Sequence, residues 1–183
     1  TVSKIFETKG LRIFKVEEIS THGGSVRLYA CKINANYKMH KSVIEIVNRE
    51  KAFGLFDLHT FHNFQSRADK IKLDLLSFLI NLKLDKKVVC GYGAAAKGNT
   101  LLNYAGIKSD LLPFVADAAV AKIGKFMPGS RIPIKPPEEV TKLCPDYVII
   151  FPWNIADEVK SQFSSLLNKE CKFVTFVPYL KEI

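Results

Sequence analysis

Between Val88 and Thr100 the chain reads Val-Val-Cys-Gly-Tyr-Gly-Ala-Ala-Ala-Lys-Gly-Asn-Thr, a short β-branched run that empties into glycines and then into a helix-forming stretch. A strand that turns at once into a helix belongs to a parallel sheet covered by helices, which is a narrow choice of folds. The glycines let backbone approach whatever sits at the turn, and the free N–H groups of the helix start favour negative charge there. Asp117 closes a second apolar stretch downstream. The segment therefore predicts a phosphate cradle, and with it a nucleotide-like ligand, before it predicts a reaction.

Known phosphate motifs sharpen this expectation. Gly91-x-Gly93-x-x-Ala96 satisfies the relaxed dinucleotide fingerprint, in which alanine replaces the third glycine, and Asp117 stands where a ribose-binding carboxylate belongs. A phosphate-loop ATPase would carry lysine after its second glycine, whereas Lys97 precedes Gly98, so that chemistry is disfavoured. The competing reading is structural. Gly98 then serves close helix–strand packing, and Asp117 caps a turn.

The rest of the chain fits a sheet of this kind. Continuous apolar runs predict strands at 87–91, 113–116, 146–151 and 172–177, with helices near 95–105, 137–143 and 155–168. Ahead of them Phe61, Phe64, Ala68, Ile71, Leu75, Leu79 and Leu82 form a stripe at helical spacing, and a shorter helical pattern runs from about residue 40 to Gly54. The proline-rich piece from Pro128 to Pro137 predicts an ordered loop, because Ile132 and Ile134 have little reason to sit in water. Residues 11–17 and 25–31 alternate as half-buried strands, joined by Thr21-His22-Gly23-Gly24. An isolated hairpin is marginal in water, so this one is expected to be the tail of a preceding domain, and a chain that opens on Thr1 is expected to be part of a longer polypeptide.

Composition removes several classes of function. The net charge of +9 favours an anionic partner, but the 27 basic residues are scattered rather than gathered into the stripe that nucleic acid requires. No apolar run approaches the ~20 residues needed to span a bilayer, and no signal peptide is present, so a cytoplasmic location is expected. Cys31, Cys90, Cys144 and Cys171 lie far apart, which predicts reduced, buried thiols and argues against a cysteine zinc site. His59 and His62 share a helical spacing but lack a completed ligand set, and no metal site is predicted. His22, on its turn, either bonds its own loop or edges a pocket. Trp153-Asn154 follows a predicted strand, where Asn154 caps the next helix or Trp153 walls a ligand crevice.

Several ordered motifs together carry a resemblance. Gly91-Tyr92-Gly93-Ala94 with Lys97-Gly98-Asn99-Thr100-Leu101-Leu102-Asn103, then Pro128-Gly129-Ser130-Arg131-Ile132-Pro133-Ile134, Pro145-Asp146-Tyr147 and Pro152-Trp153-Asn154, resemble the C-terminal domain of sugar C-methyltransferases. Thr21-His22-Gly23-Gly24-Ser25-x-Arg27 is similar to the segment that closes that family's central domain. The resemblance implies a doubly wound, Rossmann-like α/β domain over residues 37–183 that holds the nucleotide of a nucleotide-linked keto-deoxysugar. Residues 1–36 are then the terminal hairpin of an upstream domain that binds S-adenosylmethionine. In the family a base deprotonates the carbon beside the sugar's keto group, and the enolate takes the methyl group. The catalytic pair, the methyl-donor site and a zinc region all lie upstream of residue 1, so this chain alone is expected to be inactive.

Carried over residue by residue, Gly91, Gly93 and Gly98 would let backbone meet the diphosphate. Lys97 would supply charge and Thr100 a hydroxyl, with Tyr92, Asn99, Trp153 and Asn154 as further substrate-binding candidates. Asp117 would accept from ribose, and Arg131 would reach phosphate or base. The family tends toward arginine, proline and a lysine-glutamine-glycine step after Asp117. Here Ala118-Ala119-Val120-Ala121-Lys122-Ile123-Gly124 stands instead, which leaves the base contact open. Two rival readings remain at this point: a free-standing dinucleotide- or coenzyme A-binding module, and a non-enzymatic scaffold that docks a protein through its Trp153 face.

Overall fold

The structure, a computed structural model, describes residues 1–21, 24–163, 167 and 170–183. These divide into two compact units, Thr1–Gln65 and Ser66–Ile183.

The first unit is built on the expected hairpin. Strands β1 (Leu11–Ile19) and β2 (Ser25–Lys32) pair antiparallel, with an irregularity between Ile13 and Lys15. Helices α1 (Val2–Glu7) and α2 (Lys41–Ala52) accompany it. His40 caps α2 by accepting from the Ser42 N–H, and the Ser42 hydroxyl accepts from the Val16 N–H. The Arg12 guanidinium donates to Ala35 O and Tyr37 O, fixing the chain that leaves β2. These bonds keep α2 with the hairpin. The packing boundary therefore falls at 65/66, beyond the 36/37 line at which the strand pattern ends. Ile13 and Val16 are the buried apolar side chains of this unit among the described residues, so its core is thin.

Six strands form the sheet of the second unit, in the order β5-β4-β3-β6-β7-β8. They are β3 (Val89–Tyr92), β4 (Val115–Ala116), β5 (Ile134–Lys135), β6 (Tyr147–Ile150), β7 (Lys172–Thr175) and β8 (Lys181–Glu182). All neighbours are parallel except β7 and β8. The chain lays β4 and β5 on one side of β3, then returns to lay β6, β7 and β8 on the other. Apolar runs at 89–92 and 147–150 are continuous because both faces of these strands are covered. On one face Val89, Val115, Ile149 and Val174 pack against Leu75, Leu79 and Leu82 of α3 (Leu58–Leu84) and Leu102 of α4 (Ala96–Ala105). On the other, Cys90, Ala116, Val148 and Phe173 meet Val140 of α5 (Glu138–Leu143) and Val159 and Phe163 of α6 (Ala156–Phe163).

Two details complete the sheet. The proline-rich segment supplies β5, with Ile132 and Ile134 buried as their spacing required. Asp146 ties the starts of β3 and β6: its Oδ2 accepts from the Val88 N–H at 2.7 Å and its Oδ1 from Lys87 Nζ at 3.0 Å. The Val88 bond, then Lys87, holds this carboxyl below the usual range. Among the described residues no helix is long and apolar enough to cross a membrane, and no group of three potential metal ligands occurs.

Two outcomes follow from this packing. Leu79 is fully buried between α3 and the sheet, so Leu79→Ala lowers unfolding free energy by about 2–5 kcal/mol in urea titrations. All four cysteines are free, but Cys144 is exposed while burial, with Cys171 nearby, pushes the Cys90 thiol up to about 12. Iodoacetamide at pH about 8 therefore modifies Cys144 first and Cys90 only after unfolding, as peptide mass spectrometry will show. The stability gained by keeping Cys90 neutral is complete below its ordinary value of 9.0 and is lost as pH rises toward about 12.

Candidate functional site

The site begins where β3 ends. Gly93 turns the chain at φ +89°, a backbone state open to glycine, and its missing Cβ leaves room for Pro152, whose Cδ would lie 2.3 Å from one. Ala94 and Ala95 lead into α4, with Ala95 as N-cap and no side-chain cap bond. Helix geometry leaves first-turn N–H groups without intrahelical acceptors, and a capping side chain that would cover them is worth about 1 kcal/mol. Lys97 is the second residue of this turn. The helix start is thus positively polarised and carries a cation as well.

Across from it, β6 runs out into Phe151-Pro152 and a 3-10 turn, Trp153–Ile155. Lys97 Nζ stands 4.8 Å from the centre of the Trp153 ring and donates to Asn154 Oδ1 at 3.5 Å. β3 and β6 are the neighbours at which the direction of sheet building reverses. Open α/β sheets hold ligands just outside such a pair of strand ends, because the loops there part to either side. Asn154 faces Lys97, while α6 starts at Ala156.

Asp117 is engaged by its own surroundings. It is 7% exposed; Oδ2 accepts from the Ala94 N–H at 2.8 Å and from Lys122 Nζ at 2.9 Å, and Oδ1 accepts from the Ala119 N–H at 2.8 Å. Lys122 also donates to Ala94 O. The carboxylate therefore secures the glycine turn from below, the structural alternative for this residue.

The other glycines answer to packing. A Cβ on Gly98 would stand 2.5 Å from Phe151 Cβ, and one on Gly91 would stand 2.7 Å from Phe151 Cε2. Tyr92 points to the opposite face, edge-on to Phe163, with its hydroxyl donating to Gln162 Oε1 at 3.4 Å. Burial, then Asp117 and Glu158, raises its pKa. The Thr100 hydroxyl donates to Ala96 O within the helix. Arg131 lies exposed on a turn held by Asn103, which donates to Pro128 O, and by Lys108, which donates to Gly129 O. That is the far end of α4 from Lys97. The structure thus gathers Gly93, Lys97, Trp153 and Asn154, and leaves Tyr92, Thr100 and Arg131 apart from them. His22 lies outside the described residues.

Sequence reasoning passed over Lys122 and Lys125, which with Ala94, Ala95, Asn99 and Phe126 line a groove of about 450 Å³ beside the helix start. Their signal was faint: two lysines among 27 basic residues, in the stretch after Asp117. The Asn99 Oδ1 atom is buried without a hydrogen-bond partner among the described residues.

Fold and crevice together define an α/β domain with Lys97, Trp153 and Asn154 grouped at the reversal point of its parallel sheet. Residues 20–178 match the family described as C-methyltransferase C-terminal domain, and the chain belongs to that family. C-methyltransferase NovU of Streptomyces niveus is 32% identical over 174 residues, which are 95% of this chain and 41% of NovU. The chain therefore spans about two fifths of the length of that relative.

The contact of Gly98 with Phe151 is testable. Gly98→Ala forces a Cβ against a buried Cβ that has no rotamer by which to retreat, and it costs about 1–3 kcal/mol in thermal or chemical denaturation.

Proposed function

We propose that this domain holds the nucleoside diphosphate of a nucleotide-linked keto-deoxysugar while another part of the same polypeptide transfers a methyl group to the sugar carbon. The observation that carries this reading is Lys97, set in the uncapped first turn of α4 and facing Trp153 and Asn154 across the reversal point. An anion there meets a helix N-terminus and a fixed cation together. The strand order, with its reversal between β3 and β6 and helices on both faces, supports a doubly wound, Rossmann-like arrangement.

Binding at this cleft contributes to methyl transfer by position. Interactions with the remote diphosphate fix the pose of the sugar, so the acceptor carbon is presented without searching. S-adenosylmethionine, a net cation through its sulfonium and ammonium groups, gains less from a lysine and a helix N-terminus than a diphosphate does. The methyl donor, the catalytic base and the family's zinc region are assigned to the upstream part, and this domain alone is inactive. The thin core of the first unit supports its completion by an upstream domain, and the substrate cleft lies within the second unit, Ser66–Ile183. Asp117, already accepting from Ala94, Ala119 and Lys122, is taken up by the turn, so the ribose contact expected of it is not part of this reading.

Isothermal titration with dTDP, UDP, NAD and S-adenosylmethionine tests the proposal. Expected is saturable binding of dTDP or UDP, weakened about tenfold or more by Lys97→Ala, as loss of a charge-assisted hydrogen bond predicts, and no binding of S-adenosylmethionine. NAD binding in preference to the nucleoside diphosphates would replace this reading with the dinucleotide module. Silence from every ligand, with association of the protein on concentration, would favour the scaffold.

A further inference from the structure

The cleft at Lys97 opens into a different space on each side. Toward β4 and β5 lies the groove of about 450 Å³ beside Ala94, Asn99 and Lys122. Toward β7 lies a recess of about 210 Å³ behind Trp153, lined also by Asp157, Thr175, Tyr179 and Lys181. Trp153 is the shared wall, since it meets Lys97 on one side and lines the recess as well.

Size separates the two. Sites that bury most of a drug-sized ligand run to ~300–1,000 Å³, a range that includes the groove and excludes the recess. The recess has room for one ring. Its chemistry is that of a surface for a polyhydroxylated ring: the flat faces of Trp153 and Tyr179 suit apolar C–H groups, while the Asp157 carboxylate, Lys181 ammonium and Thr175 hydroxyl offer acceptors and donors. Thr175, 6% exposed, lies at the end of β7 and lines the recess.

We infer that the substrate lies across the sheet in one direction, its nucleoside in the groove toward β5 and its sugar ring in the recess formed by Trp153, Asp157, Thr175 and Tyr179. This rests on the nucleoside diphosphate sugar reading above and adds to it a sugar subsite and a polarity. Asp157 and Thr175 then determine sugar specificity, with no part in holding the diphosphate.

The test compares dTDP with dTDP-glucose by calorimetry and by the emission of Trp153, the chain's single tryptophan. The unaltered protein should bind dTDP-glucose about fivefold or more tightly than dTDP, the worth of one or two added hydrogen bonds. Thr175→Val, nearly isosteric, and Asp157→Asn, on an exposed residue, should each remove most of that advantage and leave dTDP affinity within about twofold. Equal affinities for the two ligands, or equal losses for both in the variants, would overturn the recess assignment while the diphosphate reading stands. If neither ligand binds, the underlying reading fails and the sugar subsite fails with it.

Discussion

One aromatic side chain sets the geometry on which the site depends. Phe151, 2% exposed, fills the space that side chains on Gly91 and Gly98 would need, so α4 settles directly on β3 and on the end of β6. The next residue, Pro152, lies against Gly93, and the one after that is Trp153. Three consecutive residues therefore fix how close the helix comes, how the turn bends and where the wall of the cleft stands. Close packing of this sort transmits small changes of volume, so the cleft is rigid because the layer beneath it has no slack.

Electrostatics in the cleft divides the same way, between what holds the turn and what faces outward. Asp117 and Lys122 neutralise one another while bonding both the N–H and the C=O of Ala94. The glycine turn is thereby braced by a pair with no net charge. Lys97 and the N-terminal end of α4 stand at the opening, both of positive sign. Asp146 plays a matching part at the opposite end of the strands, where its carboxylate fastens β3 to β6. Carboxylates at both ends of β3 serve the frame.

The parallel sheet was legible because four of its strands are continuous β-branched and aromatic runs, which only two covered faces explain. The stripe from Ile71 to Leu82 was legible for the same kind of reason, a helical period with one buried face. Two-residue strands such as β5 and β8 carry no period, and the six residues of α1 are too few to show one. Of the site, the glycine turn and Lys97 could be read directly. The role of Asp117 could not, because a ribose acceptor and a turn brace look alike until Ala94 N–H and Lys122 are in place. Nor could Phe151 be matched to Gly98, or Thr175 to Trp153, since those pairings depend on strand order.

The strands at the two margins of the sheet are its least regular, and this bears on how the molecule meets its neighbours. On one side the sheet stops at β5, whose outward Ile134 N–H and C=O are already taken by Lys125 O and the Gly124 N–H; on the other it stops at Lys181–Glu182, both exposed and the latter paired with Lys172. Backbone already paired offers no donor, and a short charged strand gives an incoming chain little to align with. Lateral growth of the sheet is blocked at both margins. Edge-to-edge pairing with another chain finds little free backbone at either margin.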